Sequence, residues 1–105
     1  MRTFNHVIAG NEQASRSGRK IDVFDPANGQ PYAQIAAGDA ADAADAVAAA
    51  QSAFPAWSAL PHSERARWIE RLADALEAHL DDFAHAEALD GGKPFALARD
   101  AEIPR

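Results

Sequence analysis

Residues 62–80 read HSERARWIERLADALEAHL, and the spacing of the apolar positions in this stretch decides the fold class. Large apolar side chains recur every four residues, at Trp68, Leu72, Leu76 and Leu80. Ile69 and Ala73 widen the same face. This period predicts an amphipathic helix that packs along one side, with Ser63 as the candidate cap at its start.

The helical pattern continues beyond this stretch, with a kink expected near residues 79–82. The apolar face is extended by Phe83, Ala86 and Leu89. Gly91 and Gly92 are predicted to stop the helix as C-cap residues, because glycine adopts the left-handed conformation without strain. Pro94 then opens a last helix that runs towards Ile103.

An alanine-rich helix is predicted before the central stretch, from Ala40 to Phe54, with Pro55 ending it. Asp39 is the candidate N-cap, and Asp42 is a weak analogue of a capping-box residue. Together with Asp45, these carboxylates complement the positive end of the helix dipole. The small alanine side chains favour a helix packed closely inside a larger protein, although a solvated helix is the alternative.

Short β-strands and turns are predicted for residues 1–38, and helices for residues 39–105. The β-prone runs cover residues 4–9, 20–24 and 31–37, and DPANG at residues 25–29 forms a turn between the last two. The predicted fold is a small antiparallel β-meander followed by three to four α-helices.

The composition predicts a thin core and excludes several classes of protein. Of 105 residues 48% are hydrophobic, but 27 of these residues are alanine. The net charge of -6 disfavours nucleic acid, and the short apolar runs disfavour a membrane span and a secretory signal. With no cysteine, the chain has no disulfide and no thiolate nucleophile, and we expect a cytoplasmic protein.

The sequence motifs assign no catalytic, cofactor-binding or metal site. His79 and His85 point in different directions on a helix, so they do not converge on a metal. Gly91-Gly92-Lys93 resembles the end of a phosphate loop, but Glu87 and Pro94 break that pattern. The arginines of the central helix are expected to pair locally on a solvated face; they are Arg65, Arg67 and Arg71.

The order of several short motifs resembles one known family. In chain order they are IAG at residues 8–10, FDPANG at 24–29, AVAAA at 46–50, AFPAW at 53–57, LADALE at 72–77 and EALDGGKP at 87–94. This order is similar to the N-terminal segment of the NAD(P)-dependent aldehyde dehydrogenase superfamily. FAHAE at 83–87 and LARDAEIPR at 97–105 are most similar to its 2-hydroxymuconic and 2-aminomuconic semialdehyde dehydrogenase branch.

The resemblance implies an α/β parent enzyme that oxidises an aldehyde, with a muconic semialdehyde as the candidate, to a carboxylic acid with NAD or NADP. In this family a cysteine thiolate attacks the aldehyde, hydride passes to the nicotinamide, and a glutamate-activated water releases the acid. Residues 1–105 then correspond to the N-terminal portion of the cofactor domain, which is incomplete. Some members bind a monovalent cation at positions that match Phe24 and Glu102, but we do not assign that site.

The chain differs from the family in its catalytic residues, because it has no cysteine to serve as the nucleophile. We therefore predict an inactive fragment of an aldehyde dehydrogenase, and whether it counts as an enzyme stays open. The expected partner is the remainder of the dehydrogenase or a homo-oligomer, with no nucleic acid and no membrane. The alternatives are a non-catalytic helical interaction module of the same ancestry and an unrelated helical binding protein.

Overall fold

The computed structural model describes residues 1–104, which form two compact units. The first unit contains Met1–Phe24 and Pro31–Ala59, and the second contains Asp25–Gln30 and the residues from Leu60 onward. The division between residues 1–38 and 39–105 stays a prediction.

The five strands of the first unit form two small sheets. They are β1 (Arg2–Phe4), β2 (His6–Ile8), β3 (Asn11–Gln13), β4 (Lys20–Phe24) and β5 (Pro31–Ala36). One sheet has the order β1-β5-β4, with β1 parallel to β5 and β4 antiparallel to it; β2 and β3 form a hairpin. The predicted run at residues 4–9 is therefore two strands, because the chain changes sheets at Asn5.

The turn between β2 and β3 explains where the first hairpin reverses. Ala9 and Gly10 both have positive φ, at 52° and 78°. Two successive residues of this kind match the twist of the strands on either side, as in the primed hairpin turns. The side chain of Asn11 donates to the Ala9 carbonyl at 3.2 Å and holds this turn.

The helix α1 (Ala40–Ala59) is longer than the sequence predicts. Pro55 does not end it, so that expectation is wrong. Proline removes one hydrogen bond and costs about 3 kcal/mol inside a helix, but residues of high helix propensity flank it and keep the helix continuous. The hydroxyl of Ser58 donates to the Pro55 carbonyl at 3.2 Å, one turn further along.

The helices of the second unit are α2 (His62–Ala78), α3 (Leu80–Gly91) and α4 (Phe95–Leu97), followed by a π-helical turn at Ala98–Glu102. The break at His79 confirms the expected kink, and Gly92, at φ 72°, is the C-cap of α3. Ser63 is not the cap of α2, since Pro61 occupies that position and its carbonyl accepts from the Glu64 and Arg65 N–H groups.

The buried apolar residues of the described chain are all alanines. In the first unit they are Ala33, Ala36 and Ala37, and in the second unit Ala84 and Ala98. Among residues 1–104, no helix combines the length and apolar content needed to cross a bilayer. The thin core predicted from the composition is thus present, and most large apolar side chains remain on the surface.

Candidate functional site

The face of α2 predicted from the sequence is present but uncovered. Its large apolar side chains, which we call the α2 stripe, are Trp68, Ile69, Leu72 and Leu76, with exposed fractions of 52%, 60%, 58% and 38%. No residue of α2 is buried within the described chain. Within residues 1–104 the apolar face of this helix therefore remains largely exposed.

Two arginines of α2, Arg65 and Arg71, contact residues of their own helix. The guanidinium of Arg71 lies 4.6 Å from the ring centre of Trp68, at cation–π distance. Arg65 contacts Nδ1 of His62 at 2.5 Å. The pairing is local, as expected, but these two contacts are made with an aromatic ring and an imidazole.

The N-terminus of α1 is closed by the aspartates that the sequence singled out. Asp39 Oδ1 accepts from the N–H groups of Ala41 and Asp42, and Asp42 Oδ2 accepts from the N–H of Asp39 at 3.0 Å. The capping arrangement is reciprocal, so the expected capping-box role of Asp42 is confirmed. Asp45 forms a two-point contact with the guanidinium of Arg16, at 2.6 and 2.8 Å.

Asp42 also connects α1 to the preceding segments of its own unit. Its Oδ1 accepts from the N–H of Arg16 at 2.9 Å. The donated N–H groups of Arg16 and Asp39 stabilise the charged carboxylate, so the pKa of Asp42 lies below its ordinary value. His6 Nε2 is buried without a hydrogen-bond partner among the described residues and lies 3.9 Å from Asp42 Oδ2. Because backbone donors engage both oxygens of Asp42, this pair has a structural role.

A second charged cluster, which the sequence analysis missed, lies in the second unit. The Lys93 ammonium contacts Glu102 Oε2 at 2.5 Å and Glu87 Oε1 at 2.8 Å. Both carboxylates raise the pKa of Lys93, Glu102 having the larger effect. A lysine held in its charged form is neither a nucleophile nor a general base, so the cluster joins α3 to the C-terminal turn.

Spacing rules cannot find this cluster, because a non-helical turn separates Glu87 from Lys93. The contact with Lys93 also occupies Glu102, whose position matches a cation ligand of some family members. His85 stacks on Phe95 at 4.2 Å, and His79 lies 3.6 Å from Asp82. Within the described residues there is no group of three or more side chains placed to hold a metal ion.

Among residues 1–104, the junction between β5 and α1 is where a strand leads directly into a helix, the arrangement that binds a dinucleotide phosphate in other proteins. Gly38 lies there, but a Cβ at this position would approach His6 Cε1 to 3.2 Å, so its small size serves packing inside the unit. The helix N–H groups are capped by Asp39, and three carboxylates surround this end. Capped N–H groups and nearby carboxylates do not favour a phosphate at this junction.

Comparison with known proteins shows to which family this chain belongs. The model of the aldehyde dehydrogenase family matches residues 13–105. The chain belongs to the aldehyde dehydrogenase family. The resemblance read from the motif order is therefore confirmed.

The relatives include the muconic branch of the aldehyde dehydrogenases that the sequence indicated. The 2-hydroxymuconic semialdehyde dehydrogenase of Pseudomonas sp. (strain CF600) is 41% identical over 106 residues, covering 100% of this chain and 22% of the relative. The 2-aminomuconic semialdehyde dehydrogenase of Homo sapiens is 44% identical over 85 residues, covering 81% of this chain and 18% of the relative.

Solved structures show that the fold is that of an aldehyde dehydrogenase segment. PnpE from Pseudomonas sp. WBC-3 superimposes with a TM-score of 0.94 at 40% identity, over 99% of this chain and 21% of that structure. A structure of PnpE in complex with nicotinamide adenine dinucleotide also gives a TM-score of 0.94. The chain thus spans about a fifth of the length of the relatives and structures it matches.

Proposed function

We propose that this chain supplies the N-terminal portion of an aldehyde dehydrogenase that oxidises an aldehyde to a carboxylic acid. The main support is the 41% identity to 2-hydroxymuconic semialdehyde dehydrogenase over the whole chain, together with the same fold in PnpE. A muconic semialdehyde is the proposed substrate class. The proposed partner is the remaining portion of such an enzyme, and a cytoplasmic location stays a prediction.

The proposed cofactor of the complete enzyme is NAD or NADP, which accepts hydride when bound. The cofactor complex of PnpE supports NAD for the family. The caps on the N–H groups at the start of α1 do not favour a cofactor phosphate there, and the chain has no cysteine to attack an aldehyde. Its own contribution is therefore structural: it caps and orients α1 through Asp39 and Asp42 and presents the α2 stripe.

A chimera tests this proposal. The chain replaces the matched 106-residue segment of the Pseudomonas sp. enzyme, and NADH formation is followed with 2-hydroxymuconic semialdehyde as substrate. We expect turnover by the chimera and none by the isolated chain. A folded chimera without turnover, beside an active parent, contradicts the proposal; turnover by the isolated chain contradicts its predicted inactivity.

The alternative is a non-catalytic interaction module of the same ancestry, and the exposed α2 stripe is the observation that favours it. The DNA that follows the codon of Arg105 distinguishes the two. A continuous reading frame that encodes a glycine-rich cofactor loop and a cysteine supports the enzyme, and a stop codon without such a frame supports the module.

A further inference from the structure

We propose that Asn28-Gly29 is a deamidation site, where the side-chain amide of Asn28 is converted to a carboxylate, and that the native turn keeps this site closed. The inference does not depend on the proposed function. Both residues lie in the DPANG turn between β4 and β5, and both are exposed to solvent. Asparagine before glycine is the pair most prone to this reaction, because glycine has no Cβ to hinder its own backbone nitrogen.

The reaction takes place between adjacent residues and consumes only water. The backbone nitrogen of Gly29 attacks Cγ of Asn28, so a new C–N bond forms and the bond from Cγ to Nδ2 breaks. The amide nitrogen leaves as ammonia, together with the proton of the Gly29 N–H. Water then opens the cyclic imide at either of its carbonyls and yields aspartate or isoaspartate. No electrons are transferred.

The conformation of the turn itself selects the reactive pair. Gly29 has a φ of 71°, in the left-handed region that favours glycine. A Cβ built on Gly29 would meet nothing within 4 Å among the described residues. Crowding therefore does not block the attack, and hydrogen bonding is what restrains it.

Hydrogen bonds hold both of the reacting groups. The N–H of Gly29 donates to the Asp25 carbonyl at 2.7 Å, so the proton that must be lost is engaged. The amide of Asn28 is held at both ends, because Nδ2 donates to Asp25 Oδ2 at 2.9 Å and Oδ1 accepts from the N–H of Gln30 at 2.8 Å. The side chain cannot turn towards the Gly29 nitrogen until these bonds open. The reaction then proceeds from the open fraction of molecules alone.

The product no longer fits the turn in which it forms. An aspartate at position 28 replaces the donor Nδ2 with an oxygen that faces the Asp25 carboxylate, so a hydrogen bond becomes a repulsion between like charges. An isoaspartate adds a methylene to the backbone of the turn. Deamidation therefore marks chains in which the turn has opened and opposes its closing again.

The rate of deamidation in the full 105-residue chain tests the proposal. Peptide mass spectrometry follows each asparagine at mildly alkaline pH, in concentrated urea and in buffer where circular dichroism shows the native helices. In urea we expect Asn28 to convert faster than Asn5 and Asn11, which precede histidine and glutamate, and to yield isoaspartate as well as aspartate. In buffer Asn28 should convert at least about tenfold more slowly than in urea, since the turn must open first.

Three results overturn the proposal. Equal rates at Asn28 in buffer and in urea would show that the turn gives no protection. A rate in urea no higher than at Asn5 and Asn11 would show that the pair is not a preferred site. Aspartate without isoaspartate would assign the product to direct hydrolysis of the amide rather than to attack by Gly29.

A variant that loosens the turn without altering the reacting pair provides a second test. Asp25→Ala removes the carboxylate that accepts from Asn28 Nδ2 and from the N–H of Ala27. In buffer it should speed conversion of Asn28 by about two- to tenfold, the equivalent of one lost hydrogen bond. Asp22→Ala is the matched control, because it removes a nearby carboxylate that pairs with Gln34 instead, and it should leave the rate unchanged.

Equal rates in these two variants, both folded by circular dichroism, contradict the role of the turn. Where Asp25→Ala fails to fold, the wild-type rates in buffer and in urea decide the question. The product is tested separately with Asn28→Asp, which should raise the unfolding equilibrium constant by about two- to tenfold. An unchanged unfolding constant would show that the turn accepts the product, against the proposal.

Discussion

Single carboxylates at the start of α1 do more than complement the helix dipole. Asp39 accepts two backbone N–H groups that would otherwise lack partners, and Asp42 accepts one from Asp39 and one from Arg16. The capping role could be predicted from sequence spacing, since the first turn of a helix always leaves free N–H groups. The hydrogen bond from the Arg16 N–H to Asp42 could not be predicted, because only the fold brings residues 16 and 42 together.

Removing the N-cap side chain is expected to destabilise the protein. Asp39→Ala should reduce the free energy of unfolding by about 1 kcal/mol, the usual cost of losing such a cap. Urea denaturation followed by circular dichroism measures this loss. Asp74→Ala, in the exposed middle of α2, is the control and should change stability little; equal effects of the two substitutions would show that the cap contributes nothing.

Asp42 gives the stability of the fold a dependence on acid. Its pKa is lower in the folded protein than the ordinary value of 3.8, so the unfolded chain binds the proton more readily. Its contribution is fully present above the ordinary value and is lost as the pH falls through the folded pKa. Asp42→Asn should therefore flatten the fall of the unfolding midpoint between pH of about 5 and 2. Identical pH profiles of wild type and variant would contradict this role.

At the scale of elements, the end of α3 depends on a close approach between Gly92 and the side chain of Pro26. Gly92 has a positive φ of 72°, and a Cβ built on it would lie 2.9 Å from Cγ of Pro26. The C-cap was predictable from the Gly-Gly pair because a helix end favours a left-handed residue. The contact of Gly92 with Pro26 was not predictable, since the two residues are far apart in sequence.

Gly92→Ala should therefore be more damaging than the same change at a glycine in open space. Gly18 has a φ of 68° with nothing within 4 Å of an added Cβ, so Gly18→Ala should cost only the left-handed strain, about 1–2 kcal/mol. Gly92→Ala should cost roughly 1–3 kcal/mol more from overpacking. Unfolding in urea measures both variants, and Pro26→Ala in the Gly92→Ala background should recover part of the excess. Equal losses at the two glycines would mean that Pro26 moves away freely.

At the scale of the whole molecule, the helices are long but the buried apolar core is small. Its buried apolar residues within positions 1–104 are alanines, while Phe54, Trp57 and the α2 stripe are exposed. Alanine buries little apolar area, so the hydrophobic contribution that normally offsets chain entropy is small. Such a molecule gains stability chiefly from whatever covers its exposed faces.

The isolated chain should therefore unfold with low cooperativity or associate. We expect a broad thermal transition by circular dichroism, and a midpoint that rises with protein concentration wherever self-association occurs. Strong binding of a hydrophobic dye at low temperature should accompany it. A sharp transition from a monomer, independent of concentration, would show that the alanine core is sufficient.

The sequence by itself determined the kind and order of most elements, although it missed β3 and predicted β1 and β2 as one run. Residues 62–78 form the predicted helix because a four-residue apolar period is a local property, and motif order identified the aldehyde dehydrogenase family. Only the tertiary structure decided which strands pair and that Lys93 joins Glu87 to Glu102. It also showed that the α2 stripe is largely exposed within residues 1–104. These outcomes depend on contacts between residues distant in sequence, and local spacing carries no information about such contacts.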